Sequence, residues 1–111
     1  TDFYIPCSKT IIEVKSVIST EATAKFPTVF SERTISQLES IEKLLRNGFK
    51  AHFVIVSLNP YVKEVEILKK AECYETLLRC IDLGLKIDAF TCKLIENGSV
   101  YIHKQIPWKF V

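Results

Sequence analysis

Thr10-Ile11-Ile12-Glu13-Val14-Lys15-Ser16-Val17-Ile18 is an apolar, largely β-branched run that carries two opposite charges two residues apart. β-Branched side chains pack well on a pleated surface, so the run reads as a strand. Side chains along a strand alternate between faces, which puts Glu13 and Lys15 on one side of the sheet and Ile12 and Val14 on the other. A carboxylate able to hold a hard divalent cation then stands beside an ammonium able to orient a water or stabilise phosphoryl charge, as a metal-dependent phosphodiesterase requires. The plain alternative is a solvated strand face crossed by an ordinary ion pair.

The flanking sequence supplies the context. Residues 3–7 (Phe-Tyr-Ile-Pro-Cys) and 10–18 read as a hairpin turning at Ser8-Lys9, with Pro6 placing the first strand near an edge or its own end. Asp2 lies on that partner strand, where hairpin pairing sets it beside Glu13, so the two acids can share one cation with Lys15 next to it. Residues 21–27 read as a loop. Ser31 is a helix N-cap and Glu32 suits the first turn; Ile35, Leu38, Ile41, Leu44 and Leu45 form an apolar stripe that Asn47-Gly48 ends. Residues 51–58 are apolar and β-branched almost throughout, which predicts a central strand covered on both faces, reached from the Glu13 strand by a βαβ crossover. Residues 61–71 have no clear pattern. A second helix is expected at about 72–83, with Tyr74, Leu77, Leu78 and Ile81 inward and Gly84 as its stop. Residues 86–94 alternate as a strand, Asn97-Gly98 predicts a type I′ hairpin back along 99–104, and 106–111 read as an extended tail packing an aromatic. The order ββαβαββ describes an α/β domain with a mixed sheet flanked by helices.

Composition agrees with one domain. The chain has 111 residues, 48% apolar and 25% charged, enough for a single modest core and unlike a disordered polypeptide. Fifteen basic against thirteen acidic residues leave +2, a mild hint toward nucleic acid and no more. No apolar stretch is long enough to span a membrane and no signal peptide opens the chain, so no membrane partner and a cytoplasmic location are expected. Cys7, Cys73, Cys80 and Cys92 form no C-x-x-C and no zinc spacing, and read as small apolar residues of a reducing compartment. The chain begins at Thr1 and contains no Met, which reads as part of a longer protein.

The segments Asp2-Phe3, Ile12-Glu13-Val14-Lys15-Ser16-Val17, Phe26-Pro27-Thr28-Val29-Phe30-Ser31-Glu32-Arg33, Asn47-Gly48-Phe49-Lys50-Ala51 and Ile106-Pro107 occur in the order of signatures that resemble those of the sugar fermentation stimulation protein (SfsA) family. That resemblance implies a PD-(D/E)xK, restriction-endonuclease-like C-terminal domain that binds DNA and follows an OB-like N-terminal domain absent from this chain. It implies Asp2, Glu13 and Lys15 as the catalytic set, with Mg²⁺, or Mn²⁺ as substitute, held by Asp2 and Glu13. The sequence departs from the family pattern at Thr28, where Asp is usual, and at Thr34, where Gly is usual.

Other residues fill lesser roles. Lys15 can stabilise the pentavalent phosphorus. Glu32 and Arg33 sit where a helix N-terminus favours phosphate, and Arg33 offers bidentate pairing. Gln37, one turn on, is placed to bond Lys15 or substrate, and Lys25 is a candidate phosphate contact, which positions DNA without reading its sequence. His52 and His103 read as strand-face residues. The alternatives to a nuclease are a non-catalytic DNA-binding regulator of sugar metabolism genes and an interaction domain with a decayed site. A homodimer is the fold-level expectation for an enzyme cutting both strands of a duplex.

Overall fold

The computed structural model describes residues 2–28 and 31–111. Its organising strand is β2 (Thr10–Val17). β1 (Phe3–Ile5) lies antiparallel to it with Phe3 opposite Ile12, after a turn of 3-10 helix at Pro6–Ser8 and a left-handed Lys9. A short strand β3 (Thr23–Phe26) follows, and then α1 (Glu32–Arg46) carries the chain across to β4 (Lys50–Ser57), which runs parallel to β2 with Glu13 opposite Phe53 and Lys15 opposite Ile55. After β5 (Glu64–Ile67), α2 (Tyr74–Asp82) makes the next crossover to β6 (Lys86–Leu94), parallel to β4, and β7 (Val100–Ile106) returns antiparallel. The main sheet therefore has the order β1-β2-β4-β6-β7, with β4 at its centre as the sequence predicts.

Both crossovers step the same way along the sheet. Connections of this kind are right-handed, so both helices lie on one face, where they touch each other. Alternation shows which face: Ile11, Glu13 and Val17 of β2, Ala51, Phe53, Ile55 and Ser57 of β4, and Ile87, Ala89 and Thr91 of β6 are buried. Ile12, Val14, Val54, Val56 and Phe90 on the opposite face are only half-buried. The expectation that β4 is covered on both faces is thus corrected, because every described helix packs on one side. Leu38, Ile41 and Leu45 of α1 and Leu77 and Cys80 of α2 complete the core.

Three strands are absent from the sequence reading. The loop at 21–27 contains β3, the unassigned stretch contains β5, and the tail contains β8 (Trp108–Phe110); together they form a second, parallel sheet in the order β3-β5-β8. This sheet joins the first through Phe26, edge-on to Phe53 with centroids 5.7 Å apart, and through Trp108 Nε1, which donates to the Ile87 carbonyl at 2.9 Å. α2 turns a slightly different face inward than expected. Thr76, Leu77 and Cys80 are buried while Tyr74, Leu78 and Ile81 are half-buried, because α2 packs on α1 through Cys80, whose thiol donates to the Leu38 carbonyl. The hairpin is not type I′, which requires positive φ at both central residues. Only Gly98 has it, and Gly98 N–H donates to the Ile95 carbonyl, giving a longer loop with the glycine in the left-handed position.

All four cysteines are free, Cys7 exposed and the rest buried. Burial raises the Cys73 thiol and pushes that of Cys80 up to about 11. Among the described residues no helix is long and apolar enough to cross a membrane.

Candidate active site

Glu13 points into the helix-covered face and is 1% exposed. Its Oε1 lies 3.8 Å from Lys15 Nζ, and Lys15 keeps a path to solvent, with 19% of its side chain exposed. A carboxylate taken out of water costs several kcal/mol unless a charge and hydrogen bonds compensate it. Lys15 is held in turn by α1, since its Nζ donates to Gln37 Oε1. That contact follows from where α1 starts. Ser31 Oγ accepts the Thr34 N–H at 3.3 Å, which fixes the first turn and sets Thr34, Leu38, Ile41 and Leu45 onto the sheet. Gln37, next to Leu38, then falls on the flank of the helix that overhangs Lys15.

Asp2 enters from the neighbouring strand. One step beyond the Phe3–Ile12 pair the antiparallel register sets Asp2 opposite Glu13, and Asp2 Oδ2 accepts the Val14 N–H at 2.7 Å. Asp2 is exposed, and an ionised carboxylate has about four lone-pair positions, so this bond leaves acceptor capacity for a second partner. The main-chain amide of Val14 is the one member of the group that sequence reasoning missed. An amide has no side-chain signal, and only the strand register reveals it.

Two hard oxygen donors from adjacent strands suit a cation such as Mg²⁺, which binds through one or two carboxylates and retains several waters. Among the described residues, no group of three or more His, Cys, Asp or Glu side chains is placed to hold a metal. His52 lies on the half-covered face of β4 and His103 is exposed on β7, both as strand-face residues. Lys25 on β3 and Glu32 and Arg33 in the first turn of α1 are exposed and stand outside the contacts that join Lys15 to Glu13 and Gln37. The structure joins Glu13, Lys15 and Gln37, sets Asp2 on the Val14 amide beside them, and leaves Lys25, Glu32 and Arg33 as surface groups.

A mixed sheet whose terminal hairpin sets an acid on each strand, with a crossover helix reaching the lysine two residues past the second acid, defines a restriction-endonuclease-like α/β domain. The family model described as the sugar fermentation stimulation protein RE domain matches residues 1–98, and the chain belongs to that family. The solved structure of Pyrococcus furiosus SfsA in complex with Ca²⁺ is similar to it, with a TM-score of 0.77 and 23% identity over 90% of this chain and 45% of that one. The chain therefore spans less than half the length of that relative. No curated protein matches it.

Proposed function

We propose that this domain binds DNA over the exposed end of β2 and the start of α1 and hydrolyses a phosphodiester there, with a divalent cation held by Asp2 and Glu13. The observation that carries the proposal is the placement of the acid pair. Asp2, one residue before the Phe3–Ile12 pair, accepts the N–H of Val14, the residue after Glu13, and Lys15 lies 3.8 Å from the Glu13 carboxylate; both contacts support the reading. Lys15, oriented by Gln37, holds its ammonium where negative charge on a phosphate develops, or positions the attacking water. Val14 N–H orients Asp2. The cation, Mg²⁺ or Mn²⁺ in its place, supplies Lewis acidity and lowers the pKa of bound water when present. Ca²⁺ in the Pyrococcus furiosus SfsA structure supports a hard-cation site in this family. Arg33 and Lys25 are the phosphate contacts that position the strand, with Glu32 at the rim.

In the whole protein this reading adds an OB-like domain that shares the DNA, and pairing with a second copy for double-strand cleavage. Four free cysteines accord with a reducing, cytoplasmic setting. A second reading, DNA binding by a regulator without cleavage, draws on Thr28 in place of the family's usual Asp and on the lack, among the described residues, of a third acidic donor grouped with Asp2 and Glu13. Incubation of supercoiled plasmid with Mg²⁺ or Mn²⁺ separates the two. Nicking that disappears in Glu13→Ala and Lys15→Ala supports the nuclease. Retained DNA binding without metal-dependent nicking, unaffected by Glu13→Ala, refutes it in favour of the regulator.

A further inference from the structure

Apart from that site, a cavity of about 230 Å³ opens at the N-terminal ends of β4 and β6, lined by Lys50, Ala51, His52, Gly84 and Lys86. Lys50 and His52 are two residues apart on β4 and share a face, and the parallel register sets His52 directly opposite Lys86. That is the face the helices leave uncovered. Lys50 stands opposite Thr10, three residues before Glu13 on β2, so the cavity lies about 10 Å along the strand from Glu13 and on the other side of the sheet. The wall at Gly84 is bare backbone. This glycine has φ +107° and no atom stands within 4 Å of where a Cβ would sit, which leaves room for a group to approach the main chain.

The charges identify the ligand. Like charges directly opposite each other destabilise a sheet, and in the second sheet facing charges have opposite signs, Lys25 with Glu66 and Glu66 with Lys109. His52 and Lys86 break that rule. Among the described residues they are the one cross-strand pair of two basic side chains, and Lys50 adds a third basic group beside them. No described residue ion-pairs or hydrogen-bonds with the side chain of any of the three. Asp88, two residues on from Lys86 on the same face, is held instead by Gln105 Nε2 at 3.0 Å. Basic groups gathered at a concave surface without an acid concentrate positive potential there, which an anion relieves. Each ammonium offers three donors and the imidazole a further N–H, a set that matches the several acceptor oxygens of a phosphate group. We propose that Lys50, His52 and Lys86 bind a phosphate group, at a site separate from the proposed cleavage site and independent of whether Asp2 and Glu13 hold a cation. The phosphate belongs to a nucleic-acid backbone or to a small phosphorylated molecule, which present the same group.

Lys50→Gln and Lys86→Gln, both at exposed positions, test the site against Lys43→Gln, an exposed lysine of α1 outside the cavity. Without divalent cations, binding of a labelled DNA duplex is followed by anisotropy over a range of salt, and binding of ribose 5-phosphate by calorimetry. A backbone phosphate is identified when each cavity variant weakens duplex binding severalfold and lowers the slope of log K against log salt by about one, with Lys43→Gln changing neither. A small phosphorylated molecule is identified when ribose 5-phosphate saturates one site that either cavity variant removes. In both cases the imidazole resonances of His52 shift on titration while those of His103, the other histidine of the chain, stay in place. The proposal is overturned by binding of both ligands unchanged in Lys50→Gln and Lys86→Gln, by losses that Lys43→Gln matches, or by no binding of either ligand. Duplex binding unchanged in the cavity variants leaves DNA binding over α1 standing, so the two readings fail separately.

Discussion

Replacing Lys15 by methionine roughly keeps the volume of the side chain and removes its charge and its hydrogen bond to Gln37, so the Glu13 carboxylate loses the attraction of the Lys15 ammonium. Unit charges 3.8 Å apart attract by about 4 kcal/mol at an effective dielectric near 20. The 19% exposure of the Lys15 side chain brings water close enough to reduce that figure. Loss of one member of a buried pair typically costs about 3–5 kcal/mol, so Lys15→Met is expected to lower the unfolding free energy by about 3 kcal/mol. Urea unfolding at pH 7 of the protein, Lys15→Met, Glu13→Gln and the double variant closes a cycle that removes each residue's other contacts from the sum. A coupling of about 2 kcal/mol, barely reduced by added salt, is the expected result. Coupling below about 0.5 kcal/mol, or one abolished by 0.5 M salt, would show that the charges face bulk water and that the argument from burial is wrong.

Two further outcomes follow from the same structure. Ser31→Ala removes the N-cap acceptor of Thr34 N–H and is expected to cost about 1 kcal/mol, seen as a drop in Tm of about 4–8 °C. The Cys80 thiol, raised to about 11 chiefly by burial and then by the Glu42 charge, stays neutral in the folded protein while an unfolded thiol ionises from about pH 8.5. The stabilisation is complete below the unfolded pKa and fades as pH rises toward 11, so the native protein loses about 2 kcal/mol between pH 8 and 10.5 relative to Cys80→Ala, measured by urea unfolding at both values.

What the sequence reveals depends on how local the cause is. The Glu13-Val14-Lys15 pair, the crossover to residues 51–58 and the limits of α1 are legible because each rests on a nearby pattern: alternation, an apolar stripe, the Ser31 cap and Gly48. β3, β5 and β8 are not, since each has only three or four residues and pairs only with strands far away in sequence: Ala24 with Val65, and Val65 with Trp108. Neither partner is visible from the other. The face of α2 is settled by Cys80 against Leu38, a contact between helices that spacing within α2 does not contain. Within the site, Asp2, Glu13 and Lys15 are readable from the hairpin, and Gln37 is a weak candidate that gains its place only once the rotation of α1 is known.

The most direct test of the proposed acid pair is a crystal of the protein soaked in Mn²⁺ and recorded at the manganese edge. The account predicts one anomalous peak between Asp2 and Glu13, about 2.2 Å from an oxygen of each, lost in Asp2→Asn and Glu13→Gln crystals. An empty acid pair under saturating Mn²⁺, or a peak bound by other residues alone, would contradict it.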